Sequence, residues 1–240
     1  MELYFLRHAQ SENNALAARN AANEVRTHDP ELTSLGQQQA AHLADFLAQT
    51  NLAAQTTPYD PQNRRGVGLT HLYASLMVRA VHTGTVIARR LGLPLTAWPD
   101  WHEEGGLFLE EQPGVFVGRP GHGRAYFTQA YPDFILPESL TEAGWWTAGL
   151  EPYEDRPRRA RRAVAALLER HGPTDDRVGI VSHGGFYNHI LAALMDLPAP
   201  YRLGHMLNNA SITRIVLAPD AHYVVYQNRC EYLPTELITA

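Results

Sequence analysis

The stretch Leu3-Tyr4-Phe5-Leu6-Arg7-His8-Ala9-Gln10-Ser11-Glu12-Asn13-Asn14 decides the fold. Its first four residues are apolar and partly aromatic, without the alternation of a strand that has one face in water, so they read as a strand buried on both faces. The run stops at Arg7-His8, which brings a guanidinium and an imidazole to the strand's carboxyl end. Ser11-Glu12-Asn13-Asn14 then offers caps for a helix through Ala15 to about Asn20.

Working outward, strand followed by helix recurs. Leu69 to Ala74 reads as a strand, and a helix from about Met77 to Leu91 follows it, ended by Gly92 and Pro94. Val178 to Ser182 is a third strand, between a helix over Arg158–Arg170 and another over Gly184–Met195. A further helix begins near Thr33-Ser34, with Ser34 and Gln37 as a capping box and Ala40, Leu43, Ala44 and Leu47 at helical spacing. Ile212–Leu217 and Tyr223–Tyr226 are the last strands, turning at Pro219-Asp220. This alternation predicts a three-layer α/β/α sandwich on a mainly parallel sheet, with ligands beyond the carboxyl ends of the strands. Thr50 to Gly68 reads as an exposed loop. Gly105 to Gly149, rich in Gly, Pro and aromatics, reads as a lid-like insertion in one domain spanning residues 1–240.

Composition narrows the classes. The chain has 240 residues, 45% of them hydrophobic and 19% charged, which is globular and excludes disordered and collagen-like proteins. No apolar run is long enough to span a bilayer, and Met1 to Leu6 is too short for a signal-peptide core, so no membrane association is expected. The single Cys230 leaves no internal disulfide and points to the reducing cytoplasm. Net charge −5 argues against a nucleic-acid partner. All 20 positive residues are arginine. That removes lysine Schiff bases, lysine general bases and the P-loop lysine, and leaves guanidinium forks suited to phosphate.

Three predicted strands end near Arg7-His8, Ser75 leading to Arg79, and Ser182-His183-Gly184, so two histidines and two arginines share one sheet edge. This is an anion cluster, and phosphate is its natural guest. Arg7 and Arg79 supply forks, Asn14 a neutral donor, and the helix start at Gly184-Gly185 backbone N–H groups. A neutral imidazole there can attack phosphorus, giving a covalent phosphohistidine, and guanidinium groups take the place of a metal in neutralising charge. The 12 histidines include no HExxH pattern and no close His/Asp pair beyond His28-Asp29, so no metal and no cofactor are assigned.

Four blocks in order resemble the histidine phosphatase superfamily, in its phosphoglycerate mutase-like branch: Leu6 to Asn14, Leu32 to Ala40, Ser75 to Thr83, and Val181 to Gly185. The resemblance implies that His8 is the nucleophile, that Arg7, Asn14, Arg79 and His183 hold the phosphoryl group, and that Gly184 adds its backbone N–H. It also implies an acidic proton donor in His102-Glu103-Glu104-Gly105-Gly106, with Glu103 chosen and Glu104 in reserve. Ala9 replaces the family's usual glycine. The Thr-Gly segment and the adjacent Arg-Arg lid pair of the mutases are missing, and the lid offers only the separated Arg119 and Arg124.

The implied function is hydrolysis of a small phosphorylated metabolite, in a pocket walled by Phe108, Phe116, Tyr126 and Phe127. A mutase and a catalytically silent phosphate sensor stand as alternatives. An α/β-hydrolase esterase does not fit, because Ile180 stands where Gly-x-Ser-x-Gly needs glycine. Arg156 to Arg162 reads as a solvated helix face, with Glu151, Glu154 and Asp155 at the helix start. A homodimer through a strand edge or the lid is left open.

Overall fold

The computed structural model describes residues 1–19, 26–49, 60–200 and 204–240. Seven strands form the central sheet: β1 (Glu2–Arg7), β2 (His71–Ala74), β3 (Leu95–Ala97), β6 (Phe134–Ile135), β7 (Arg177–Ser182), β8 (Ile212–Leu217) and β9 (His222–Arg229). Their order is β6-β3-β2-β7-β1-β8-β9. The strands from β6 to β1 pair in parallel, while β8 and β9 are antiparallel. A separate hairpin, β4 (Phe108–Gln112) with β5 (Val115–Gly118), lies outside this sheet.

Period-two side-chain placement sorts the two cores. Tyr4 and Leu6 of β1 join Leu72 and Ala74 of β2 against α2 (Ser34–Ala48) and α3 (Val78–Leu91). Leu3 and Phe5 join Tyr73, Val178 and Ile180 against α5 (Asp155–His171) and α6 (Gly184–Leu194). The expected three-layer arrangement is therefore present, and β1 is buried on both faces as its continuous apolar run required.

Several local expectations change. The first helix, α1 (Glu12–Ala18), is capped by Ser11 in a reciprocal box with Asn14. The α2 cap is Thr33, whose hydroxyl accepts from Gly36 N, rather than a Ser34–Gln37 box. Leu69 and Thr70 precede β2 rather than belonging to it. In the Thr50–Gly68 loop, residues 50–59 lie outside the described residues. The rest is not simply exposed: Asn63 is buried, donating to the Tyr4 hydroxyl at 3.0 Å and accepting from Tyr226 at 2.7 Å.

The segment from Gly105 to Gly149 holds the hairpin, the short helix α4 (Arg124–Ala130) and β6, which adds to the sheet edge beside β3. β3 and β6 are too short, at three and two residues, for a periodicity to register. No described helix is long and apolar enough to cross a membrane.

Candidate active site

The parallel register sets β1 and β7 level, pairing Arg7 with Ser182, so their carboxyl ends open at the same height. The backbone around His8 is held on both sides. His8 N donates to Ser182 O at 3.0 Å, and Ala210 N donates to His8 O at 3.1 Å. Past the strand, Ala9 N donates to the Thr83 hydroxyl at 3.1 Å, and Gln10 N to Gln39 Oε1 at 2.7 Å. Thr33 N and its hydroxyl donate to Gln10 O and Oε1 at 3.1 and 2.8 Å.

Gly36 closes this bracket, because a Cβ there would overlap the Gln10 carbonyl oxygen. The block Leu32 to Ala40 therefore serves the site by fixing the loop behind His8. Gln39 is itself buried and tied to Leu237 O at 2.7 Å and the Thr239 hydroxyl at 2.9 Å.

His8 is 2% exposed. Its Nδ1 lies 2.7 Å from Ala9 O, which can only accept, so the proton sits on Nδ1 and Nε2 carries the lone pair. Arg79 Nε, 3.2 Å away, donates to that Nε2. Burial, then Arg79 and Arg7, push the His8 pKa well below the ordinary imidazole value, which keeps the ring neutral. His183, the residue before α6, has its ring centroid 5.0 Å from that of His8. Its Nε2 meets the Ser75 hydroxyl at 2.7 Å, its Nδ1 is buried without a protein partner, and burial again drives its pKa well down.

Arg7 donates to Leu207 O and packs over Gly184, where a Cβ would come within 3.3 Å of its Nε. Arg79 is also 3.8 Å from Asp29 and donates to Met77 Sδ at 3.0 Å. Asn14 keeps its Oδ1 for Ser11 N, the Ser11 hydroxyl and Asn209 Nδ2 at 3.1, 2.8 and 3.3 Å, so its amide N–H₂ is the end turned from that network.

The two acidic residues are held differently. Glu103 Oε1 accepts from Phe186 N at 2.7 Å, and Oε2 from Gly185 N at 3.2 Å. The carboxylate thus caps α6, occupying the Gly185 amide expected for phosphate as well as that of Phe186. Gly185 has no room for a side chain, since a Cβ would stand 2.7 and 2.8 Å from the Glu103 and Glu104 oxygens. Glu104 accepts from Arg156 at 2.8 Å and lies 3.1 Å from His189 Nε2, bonds that lower its pKa, the His189 bond foremost.

The residues expected to bind and transfer the phosphoryl group converge here. Arg7, His8, Asn14, Arg79, Glu103 and Glu104 line one cavity of about 330 Å³, with His183 behind His8 and Gly184 under Arg7. Phe108 and Phe116 line it as expected, in edge-to-face contact at 5.6 Å. Two other expected wall residues do not. Phe127 is fully buried in the core against Phe134, and Tyr126 stacks on His122 at 3.7 Å. An aromatic-rich segment carries no mark separating a wall from a core position.

The arginine run is also not a uniform solvated face. Arg159 is 3% exposed, forks onto Glu151 at 2.6 and 2.8 Å, and donates to the carbonyls of Asp100 and His102, both at 2.8 Å. Glu151 is therefore a buried partner rather than a dipole-facing surface acid. Arg119 pairs with Glu111, and Arg124 donates to Leu140 O and Pro137 O at 3.0 and 2.5 Å, so both lid arginines are occupied by the lid itself.

In the sequence Asp29 stands out only as the neighbour of His28. It is buried, accepts from Val78 N at 3.0 Å, and faces Arg79; burial raises its pKa to about 7. Its signal was a lone acid between polar residues, which reads as loop.

A sheet edge that gathers two neutral histidines, two guanidinium groups and a capped carboxylate around one cavity defines an enzyme that handles an anionic group. The chain belongs to the histidine phosphatase superfamily, branch 1, whose family model matches residues 3–59 and 61–229. It is 23% identical over 216 residues to the "Probable phosphoglycerate mutase GpmB" of Salmonella arizonae, covering 90% of this chain and 84% of that one.

Among solved structures, a mycobacterial glucosyl-3-phosphoglycerate phosphatase superposes with a TM-score of 0.58 at 21% identity, covering 95% of this chain and 99% of the other. The ecdysone phosphate phosphatase of Bombix mori reaches 0.63 at 15% identity over 98% and 95%. At these identities the superpositions establish the shared fold.

Proposed function

We propose that this chain is a metal-independent phosphomonoester hydrolase that works through a phosphohistidine on His8. The observation that carries the proposal is the lone pair of His8 Nε2, defined by the Nδ1–Ala9 O bond and met by Arg79 at 3.2 Å. In the proposed cycle, Nε2 attacks phosphorus as the P–O bond to the alcohol breaks. Arg7, Arg79, the Asn14 amide, Gly184 N–H and the free nitrogen of His183 hold the phosphoryl oxygens. Glu103, which caps α6 as a carboxylate, takes a proton from solvent as it leaves those amides, hands it to the leaving oxygen, then takes one from the water that breaks the P–N bond.

Glu103 has to turn off Gly185 N and Phe186 N to reach the leaving group, a short swing for a side chain already at the cavity wall. Glu104 is the weaker choice, because Arg156 and His189 hold it as a carboxylate. The 105–149 segment is the proposed cap, with Phe108 and Phe116 against the leaving group.

Mutase activity is the second reading, favoured by the names of the sequence relatives. Against it, Arg119 and Arg124 already bond within the lid, and Glu104 and Glu110 stand on the cavity wall. The leaving group favoured by Phe108 and Phe116 on this wall is a partly apolar alcohol of a small metabolite.

The test is turnover of an aryl phosphate with EDTA present, with alkaline quenching to trap phosphohistidine. Wild type is expected to turn over and label, and His8→Ala to do neither. Wild-type protein that labels but transfers to phosphoglycerate far faster than to water would replace hydrolase by mutase, and protein that binds phosphate without labelling would be a sensor.

A further inference from the structure

The fold assembles a second cluster of ligand-bearing side chains at the opposite, amino-terminal edge of the sheet. His71 is the first residue of β2, Asp176 immediately precedes β7, and His171 is the last residue of α5. From there β7 runs six residues, about 20 Å, to Ser182 beside the phosphoryl site. Nothing in the proposed cycle uses this trio.

Its geometry suits one ion. His171 Nδ1 lies 2.8 Å from Asp176 Oδ2, and His71 Nδ1 lies 3.7 Å from Asp176 Oδ1. The three ligand atoms all fall within 4.8 Å of one another. Metal–nitrogen and metal–oxygen bonds of about 2.0–2.2 Å in a tetrahedron put ligand atoms roughly 3.4 Å apart, so the two imidazoles, which face different oxygens of Asp176, close on one ion by small side-chain adjustments.

The supporting shell is present as well. His171 is buried, its ring centroid is 4.7 Å from that of His71, and its other nitrogen, Nε2, is 3.0 Å from the Tyr73 hydroxyl. In the metal-free chain His171 Nδ1–H donates to Asp176 and the Tyr73 hydroxyl donates to Nε2; a cation would take the place of the Nδ1 proton, with Nε2–H then donating to Tyr73. Metal-bound histidines ordinarily carry this kind of second hydrogen bond on the far nitrogen. Thr70, whose hydroxyl is 2.9 Å from His71 Nδ1, would give up that contact.

We propose that His71, His171 and Asp176 form a binding site for a zinc-class divalent cation, with water as fourth ligand, that ties the end of α5 to the starts of β2 and β7. Two imidazoles and one carboxylate select a borderline cation over magnesium or calcium, which take oxygen ligands. The ion is structural and separate from the phosphoryl site, so the proposal does not rest on the hydrolase reading.

The experiment uses the untagged, chelator-stripped full chain. It is titrated with zinc against a chromophoric chelator, and with cobalt to record visible d–d absorption. Wild type is expected to take one equivalent, show tetrahedral cobalt bands and melt at a higher temperature with zinc. His71→Ala, half-exposed and therefore expected to fold, and Asp176→Asn are each expected to lose about tenfold or more in affinity. His71→Ala is also expected to lose the zinc-dependent rise in melting temperature while keeping its metal-free melting curve. Absence of binding by wild type would overturn the site, leaving a hydrogen-bonded His171–Asp176 pair. Unchanged zinc affinity in both variants would overturn it too, by sending the ion to other histidines.

Discussion

Around His8, the loop that leaves β1 is held by Ser182, Ala210, Thr83, Gln39 and Thr33 within three residues. Across the same cavity the β4–β5 hairpin is held by its ladder and a surface pair from Glu111 to Arg119, and it leaves Val115 and Phe116 nearly half exposed, at 48% and 46%. One wall is rigid because its backbone groups are bonded from β7, α2, α3 and the segment before β8. The other is built of side chains that pack on each other and face solvent. A reaction common to many substrates needs the first kind of wall, and discrimination among leaving groups is obtained from the second.

The sharpest way to break this comparison lies within the rigid wall. Glu103→Gln is expected to cut kcat for an aryl phosphate by about 10²- to 10⁴-fold, the usual range for loss of a general acid, while Glu104→Gln costs less than about tenfold. Steady-state kinetics on the pair decide it, and reversed values would move the proton donor to Glu104.

Next comes Arg159→Ala, which strands the buried Glu151 and is expected to cost about 3–5 kcal/mol in urea unfolding. Arg158→Ala, in the same run but exposed, is expected to stay within about 0.5 kcal/mol. Gly36→Ala is expected to cost about 1–3 kcal/mol by forcing a methyl group against the Gln10 carbonyl, and to lower kcat with it.

The pH dependence separates two kinds of buried group at the site. Asp29 titrates near 7 when folded against 3.8 when free, so the folded chain holds a proton the unfolded one has lost. Its contribution to stability is full below about 3.8 and declines as pH rises to about 7. His8 and His183 have the opposite sign: folded, they refuse protons that the unfolded chain accepts below about 6.5, so stability falls as acid is added. Denaturant unfolding of Asp29→Asn across that range is expected to lack the loss on the alkaline side.

The smallest effect belongs to the hairpin. Phe116→Ala is expected to lower kcat/KM for an aryl phosphate by roughly 3- to 10-fold, the worth of one aromatic contact, with unfolding free energy nearly unchanged. A large loss of stability instead would place Phe116 in the core and remove the contrast between the walls.

Much of this was readable from the residues. The apolar run at Leu3–Leu6, the helical spacing from Ala40 to Leu47 and the Gly92 stop are local signals, and the elements they predict are present. His8, Arg7, Arg79 and His183 were legible because chemistry placed at strand ends stands next to recognisable apolar runs. Other features have no local signal. β3 and β6 form because neighbouring strands offer edges, Phe127 is core because α4 folds back over Phe134, and Arg159 is buried because Glu151 lies across from it.

By itself the sequence determined the alternation of strands and helices, the sheet edge that carries the chemistry and the lack of any lysine to carry it instead. Tertiary structure decided how each carboxylate is held, which arginines are already paired and which aromatics face the cavity. Period and composition are properties of neighbours along the chain, whereas burial, ion pairing and tautomer depend on which distant residues the fold brings within a few ångströms.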